Sequence, residues 1–218
     1  MENNYENLLK LFMEAVQTTL SAPKVAAEDP SIVPVGISNR HLHLSQADQD
    51  RLFGEGYQMT KIKDLSQPGQ YACKETVTIC GPKGAIENVR ILGPVRSKTQ
   101  IEILAGDCFK LGAKAPARLS ADLQGTPGIT IIGPKGSVQT AEGLIVAQRH
   151  IHMTPEDAQR IGVADGQTVS IQVEGPRGGI YGNVAVRATN TSALECHIDN
   201  EEANAMSINS LSKIKIIK

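Results

Sequence analysis

A chain of 218 residues, 40% hydrophobic and 21% charged, has the composition of a folded protein and room for one large domain or two small ones. A formal net charge of −1, 3% aromatics and no tryptophan exclude the basic field and stacking platform of a nucleic-acid binder, and leave Val, Ile and Leu to fill the interior, as in small β-barrels. No apolar run reaches the length of a membrane span and no signal-peptide pattern opens the chain, so Cys73, Cys80, Cys108 and Cys196 are expected as reduced thiols of a cytosolic protein.

In chain order, Leu8, Leu9, Phe12, Ala15, Val16 and Leu20 recur at helical spacing and predict an amphipathic helix. Ser21-Ala22-Pro23 stops it, and a polar linker runs on to about Pro30. Such a tethered helix either folds back on the body, serves oligomerisation, or docks on another surface. From Ser31 onward short apolar runs alternate with Gly-Pro turns, a β pattern: Thr76–Ile79, Ile129–Ile132 and Thr168–Val173 are examples. The tetrapeptides Gly81-Pro82-Lys83-Gly84, Gly133-Pro134-Lys135-Gly136 and Gly175-Pro176-Arg177-Gly178 read as hairpin turns, with Pro setting φ and Gly supplying positive φ. Short helices are predicted after Ser45 and Thr154 as N-caps, ending near Gly54 and Gly162.

Four of the five histidines form two His-x-His pairs. His41 and His43 recur 109 residues later as His150 and His152, each pair preceded by an Arg and followed by a Ser/Thr-initiated segment. On a strand, residues i and i+2 share a face, so each pair presents two imidazoles together. An internal duplication therefore supplies two half-sites for a metal, and nitrogen-rich, open sites favour zinc. A third ligand is expected on a returning strand. In the second repeat the remaining histidine is His197. In the first, Glu102 stands between two isoleucines, where burial without a partner would be costly. Three protein ligands per site leave an open position, the catalytic pattern. Cys196 adjoins His197 but faces the other way on a strand, as a buried structural thiol would. Arg90 and Arg96, shortly before Glu102, offer an anion-binding element.

The segment Val35-Gly36-Ile37-Ser38-Asn39-Arg40-His41-Leu42-His43-Leu44-Ser45, the run Leu92-Gly93-Pro94-Val95-Arg96 with Glu102, and Gln148-Arg149-His150-Ile151-His152-Met153 resemble the phosphate propanoyltransferases, the PduL-type phosphotransacylases of bacterial microcompartments. The likeness covers roughly residues 33–210. It implies a mainly β fold of two related β-barrel domains with short helices and a pseudo-twofold repeat, plus the N-terminal amphipathic helix. The first strand would cross over, so that residues 30–39 and 148–217 form one barrel and 40–147 the other, with 1–25 as targeting helix and linker.

The resemblance also implies two zinc ions per chain, one on His41, His43 and Glu102 and one on His150, His152 and His197. Arg96 would be the catalytic residue that binds phosphate. Ser38, Lys63, Arg90 and Asn204 would line the substrate channel. The reaction implied is reversible: acyl-CoA, propanoyl or acetyl, plus phosphate gives acyl phosphate and CoA, by direct attack in a ternary complex. Partners would be CoA, acyl-CoA, phosphate and, through the N-terminal helix, shell or cargo proteins of a cytoplasmic microcompartment, with no nucleic acid and no membrane. A homo-oligomer is compatible with this. Two other readings are a zinc-dependent thioester hydrolase and a non-catalytic, zinc-stabilised scaffold protein of a microcompartment.

Overall fold

Alternation decides the first strand. Val33 and Val35 are buried while Ile32 and Pro34 are exposed, so Ile32–Ser38 turns one face to a core. The computed structural model describes residues 10–13 and 29–218. The elements in order are β1 (Ile32–Ser38), β2 (His41–His43), α1 (Gln46–Phe53), β3 (Lys61–Asp64), β4 (Tyr71–Cys80), β5 (Ala85–Gly93) and β6 (Gln100–Ile103). Then come α2 (Asp107–Leu111), β7 (Ala117–Arg118), β8 (Thr130–Ile132), β9 (Ser137–Gln139) and β10 (Leu144–Ala147). The rest are β11 (His150–Met153), α3 (Pro155–Ile161), β12 (Thr168–Val173), β13 (Gly179–Ala188), β14 (Glu195–Asp199), α4 (Asn200–Met206) and β15 (Lys213–Ile217). The fold is mainly β, as expected. Of the predicted N-terminal helix, residues 10–13 are helical, with Leu11, Phe12 and Met13 exposed. The remainder of that helix and its linker lie outside the described residues.

Six strands close a barrel in the order β1-β14-β11-β13-β12-β15. The other nine form a sheet ordered β7-β10-β6-β2-β5-β4-β8-β9, with β3 beside β4. The duplication appears as a repeated five-strand path: β10-β6-β2-β5-β4 in the sheet matches β1-β14-β11-β13-β12 in the barrel. Where the barrel closes through β15 back onto β1, the sheet turns instead into the β8–β9 hairpin, so it curls without closing.

The strand leading into each His pair pairs with the other half of the chain. β1 precedes β2 but lies parallel to β14, and β10 precedes β11 but lies parallel to β6. Each half therefore donates one strand to the other. Leu42 and Ile151, the residues between the histidines, are fully buried in the two separate cores. Burying each stabilises the fold by about 1.5–3 kcal/mol and turns the flanking imidazoles the other way.

The helices begin as expected. Ser45 Oγ accepts from Asp48 N–H, and Thr154 forms a capping box with Asp157. Gly54 and Gly162 are the C-caps. All three Gly-Pro-Lys/Arg-Gly segments are hairpin turns, joining β4–β5, β8–β9 and β12–β13. The reason for their glycines differs from the expectation, since only Gly175 among them has a positive φ. A Cβ on Gly81 would stand 2.2 Å from the Leu111 carbonyl oxygen, and one on Gly133 would stand 2.7 Å from that of Leu52. These turns press against helix C-termini, where Lys83 N–H donates to Leu111 at 3.1 Å and Lys135 N–H to Leu52 at 3.0 Å. Close backbone approach, not φ, demands glycine there.

Candidate active site

Strand register brings the third residue to each pair. His41 lies opposite Glu102 on β6, and His150 lies opposite His197 on β14. The result is two clusters, His41–His43–Glu102 and His150–His152–His197, each offering three ligand atoms within 4.8 Å of one another. In both, the first histidine is oriented by the backbone: Nδ1 of His41 donates to Asn39 O at 2.7 Å, and Nδ1 of His150 to Gln148 O at 2.8 Å. That fixes the tautomer and leaves Nε2 as the lone-pair atom. It faces Glu102 Oε2 at 3.4 Å in one cluster and His152 Nε2 at 3.1 Å in the other.

The arginine before each pair is a clamp. Arg40 makes a two-bond contact with Asp107 on α2, both at 2.8 Å, and Arg149 bonds Glu202 on α4 at 2.6 Å. The acid stands five residues after the third cluster member in each repeat. Each clamp thus ties the approach to a His pair to the helix following the partner strand.

Burial dominates the electrostatics. It holds His43 down to about 3, His150 to about 4 and His152 to about 3. Burial also acts most strongly on His41, but the Glu102 charge, its hydrogen bond and the Asn39 carbonyl outweigh it and raise that pKa. For Glu102, burial favours the neutral acid, yet His41, His43 and Arg96 reverse this and keep it ionised. Three imidazoles in one cluster, two with a carboxylate in the other, fit a divalent cation. His43 Nδ1, buried beside the Leu92 carbonyl without hydrogen-bond geometry, and the facing His150 and His152 nitrogens are further marks of that fit.

Two residues escaped the sequence reading although alternation points to them. Gln100 and Glu195 each stand two residues before a third cluster member, on the same face. Gln100, 1% exposed, donates from Nε2 to Glu102 Oε1 at 2.6 Å and to Ser120 Oγ at 2.7 Å, while its Oε1 accepts from Ala121 N–H at 2.8 Å. Ser120 Oγ in turn accepts from Arg96 Nη1 at 2.9 Å. One chain of bonds therefore joins Glu102 to Arg96. Glu195 Oε2 stands 2.6 Å from His197 Nε2 and also accepts from Ser66. Gly36, opposite His197, makes room for this pair, since a Cβ there would fall 2.7 Å from the Glu195 carboxylate.

Both clusters and Arg96 line one cavity of about 850 Å³ between the barrel and the sheet. Ser38, Lys63 and Arg90 line it too, as does Arg187, which carried no sequence signal. Ser38 Oγ donates to Ile198 O at 3.4 Å, and Arg90 Nη1 is held by the Cys73 and Lys74 carbonyls at 3.0 and 2.7 Å. Asn204 is not among the lining residues. It is exposed on α4, where its carbonyl accepts from Arg177 at 3.4 Å. Cys196 points away from His197 into the barrel core, and burial pushes its thiol up to about 12.

Residues 34–209 match the family model described as phosphate propanoyltransferase. The chain is 52% identical over 208 residues to the phosphate propanoyltransferase of Rhodobacter capsulatus, covering 94% of this chain and 97% of that one. It is 54% identical over 192 residues to that of Thermotoga maritima, covering 88% and 91%. The phosphate propanoyltransferase of Clostridioides difficile is 48% identical over 213 residues, with 98% and 99% covered. A shared sequence at this level, over the segments that build both clusters and the cavity, makes the chain a member of the phosphate propanoyltransferase family and a phosphate acyltransferase.

Proposed function

We propose that this chain transfers an acyl group reversibly between coenzyme A and phosphate, with two zinc ions and both substrates bound at once. The observation that carries the reading is the convergence of two three-residue clusters and Arg96 on one cavity. His41, His43 and Glu102 would hold one zinc, and His150, His152 and His197 the other. When bound, the metal supplies Lewis-acid stabilisation of the thioester oxygen and departing sulfur.

A phosphate oxygen attacks the thioester carbonyl carbon, the C–S bond breaks, and CoA leaves as thiolate. Arg96, anchored by Ser120, orients the phosphate with the rest of its donor fork. Orientation of two bound anionic reactants supplies up to about 7–11 kcal/mol of the barrier. Lys63, exposed at the cavity mouth, and Arg90 attract the charged part of the CoA. No protein nucleophile is required: Cys196 is in the core as a high-pKa thiol, and Ser38 bonds a carbonyl instead of a base.

Free-thiol release from acyl-CoA tests this. Release that depends on phosphate is expected; phosphate-independent release would mean a hydrolase, and none a non-catalytic protein. Ping-pong kinetics or a trapped acyl-enzyme would overturn direct attack. Metal analysis of the purified protein should give about two zinc per chain, one for each three-residue cluster. We assign residues 30–39 with 148–217 to the closed-barrel domain and 40–147 to the second, unclosed barrel. Residues 1–25 are taken as a peptide that targets the enzyme to a bacterial microcompartment. Deleting them should spare activity and abolish encapsulation; retained encapsulation would sink that role.

A further inference from the structure

A second cavity touches the same arginine. It holds about 270 Å³ and is lined by His43, Pro68, Gly69, Gln70, Pro94 and Arg96. Pro68, Gly69 and Pro94 are exposed, so its rim is open; His43 is 2% exposed and forms the floor with half-buried Arg96. His43, Gln70 and Arg96 also line the large cavity, so the two spaces meet at the candidate phosphate site.

The divider is the segment between β3 and β4. Leu65, Ser66 and Gln67 face the large cavity, Pro68 and Gly69 the small one, and Gln70 both. It is a fixed wall. Leu65 N–H donates to Gln70 O at 3.0 Å, closing the loop on itself. Gln67, 6% exposed, bonds the Ala193 backbone twice, donating to its carbonyl at 3.0 Å and accepting from its N–H at 3.1 Å. Ser66 donates to Glu195. A loop pinned by three hydrogen bonds to Ala193 and Glu195 of the other half of the chain holds both openings at once.

Size separates the two openings. A cavity of 850 Å³ lies in the range of large organic ligands, whereas 270 Å³ falls below it and suits a small molecule. The guanidinium, imidazole and carboxamide at which the small cavity meets the large one suit an oxyanion. We propose that the small cavity is a separate port through which inorganic phosphate enters and acyl phosphate leaves while the CoA moiety occupies the large cavity. This rests on the reading of the chain as a CoA-dependent phosphate acyltransferase with Arg96 at the phosphate. Its consequence is random-order binding: the bulky substrate does not lock the small one in or out.

Isotope exchange at equilibrium tests the order. Labelled phosphate is exchanged with acyl phosphate while acyl-CoA and CoA are raised together at fixed ratio, using the full-length enzyme. A separate port predicts that exchange rises to a plateau. Suppression to background at saturating acyl-CoA and CoA means that phosphate must pass before them, and overturns the port. The variant Pro68→Trp, which fills the small cavity from its exposed rim, should lower kcat/KM for phosphate about tenfold while kcat/KM for acyl-CoA stays within about twofold. Equal losses for both substrates, or none, overturn it as well. If the wild-type enzyme shows no phosphate-dependent thiol release, the functional reading fails; if release is normal and the exchange is suppressed, only the port fails.

Discussion

Gln100→Leu should separate a fold defect from a loss of phosphate handling. The side chain is 1% exposed and its amide makes three hydrogen bonds, one of them at 2.6 Å to the Glu102 carboxylate. Leucine keeps the volume and removes them all. A bond to a charged group is worth about 1.5–3 kcal/mol and a neutral one about 0.5–1.5, while the Ala121 N–H, near the surface, regains water. The expected loss of stability is therefore about 2–4 kcal/mol, read as a shift of the urea midpoint at constant m-value. The larger effect is on activity. Without Gln100, Ser120 is no longer fixed from behind, and Arg96 loses a rigid anchor. Misplacing an orienting group by about 1 Å costs on the order of 100-fold, so kcat/KM for phosphate should fall by about that factor. Acyl-CoA dependence should change far less. A variant that loses under about 1 kcal/mol and keeps its phosphate kinetics would refute the bond chain from Glu102 to Arg96.

Three further outcomes are expected. His41→Ala and His150→Ala should each lower bound zinc by about one equivalent while sparing the other cluster, since each proposed site has its own three candidate ligands; loss of both equivalents from either variant, or of neither, would contradict two independent sites. Asp107→Ala strands Arg40 and the Leu104 N–H, which bonds the carboxylate at 3.0 Å. Because Arg40 is 32% exposed, the cost should be about 2–3 kcal/mol, below that of breaking a fully buried pair, and a urea-midpoint shift under about 1 kcal/mol would contradict the clamp. Asp157 caps α3, and its hydrogen bonds to Arg160 and to Thr154 outweigh a burial effect that opposes them, holding its pKa below the ordinary 3.8. A depressed folded-state value means stability that is present above 3.8 and lost as pH falls through the lower value. Asp157→Ala should therefore cost about 1 kcal/mol at neutral pH and nothing well below pH 3.8, and a pH-independent difference would argue against the cap.

What was legible in the chain was local. The two-residue spacing of the histidines, the Ser45 and Thr154 caps and the three hairpin turns depend on neighbours in sequence. Glu102 was legible for a related reason, as a carboxylate alone in an apolar run. Gln100 and Glu195 follow from the same alternation, two residues before Glu102 and His197 on the same face. At Gly81 and Gly133 the constraint comes from helix ends 30 or more residues away in sequence, invisible to turn chemistry, whereas Gly175 has the positive φ that turn chemistry expects. Ser38, Lys63 and Asn204 came only from resemblance; the first two line the cavity, and Asn204 stands exposed on α4 outside its lining. That β10 joins β6 has no sequence signature at all, since nothing in a short apolar strand names its partner.

The exchange of β1 and β10 sets a timetable for the growing chain. The barrel cannot close until β15 has left the ribosome, because Val33 pairs with Ile214. At about 5–20 residues per second, β1 waits on the order of 10–40 s for its partner. Through that interval its apolar face, Val33 and Val35, has neither neighbour nor core. The nine-stranded sheet can form first, but only once β10 arrives to flank β6. Neither sequence repeat is complete by itself, and a chain cut anywhere between Ile103 and Leu144 leaves the first fragment without β10 and the second without β1.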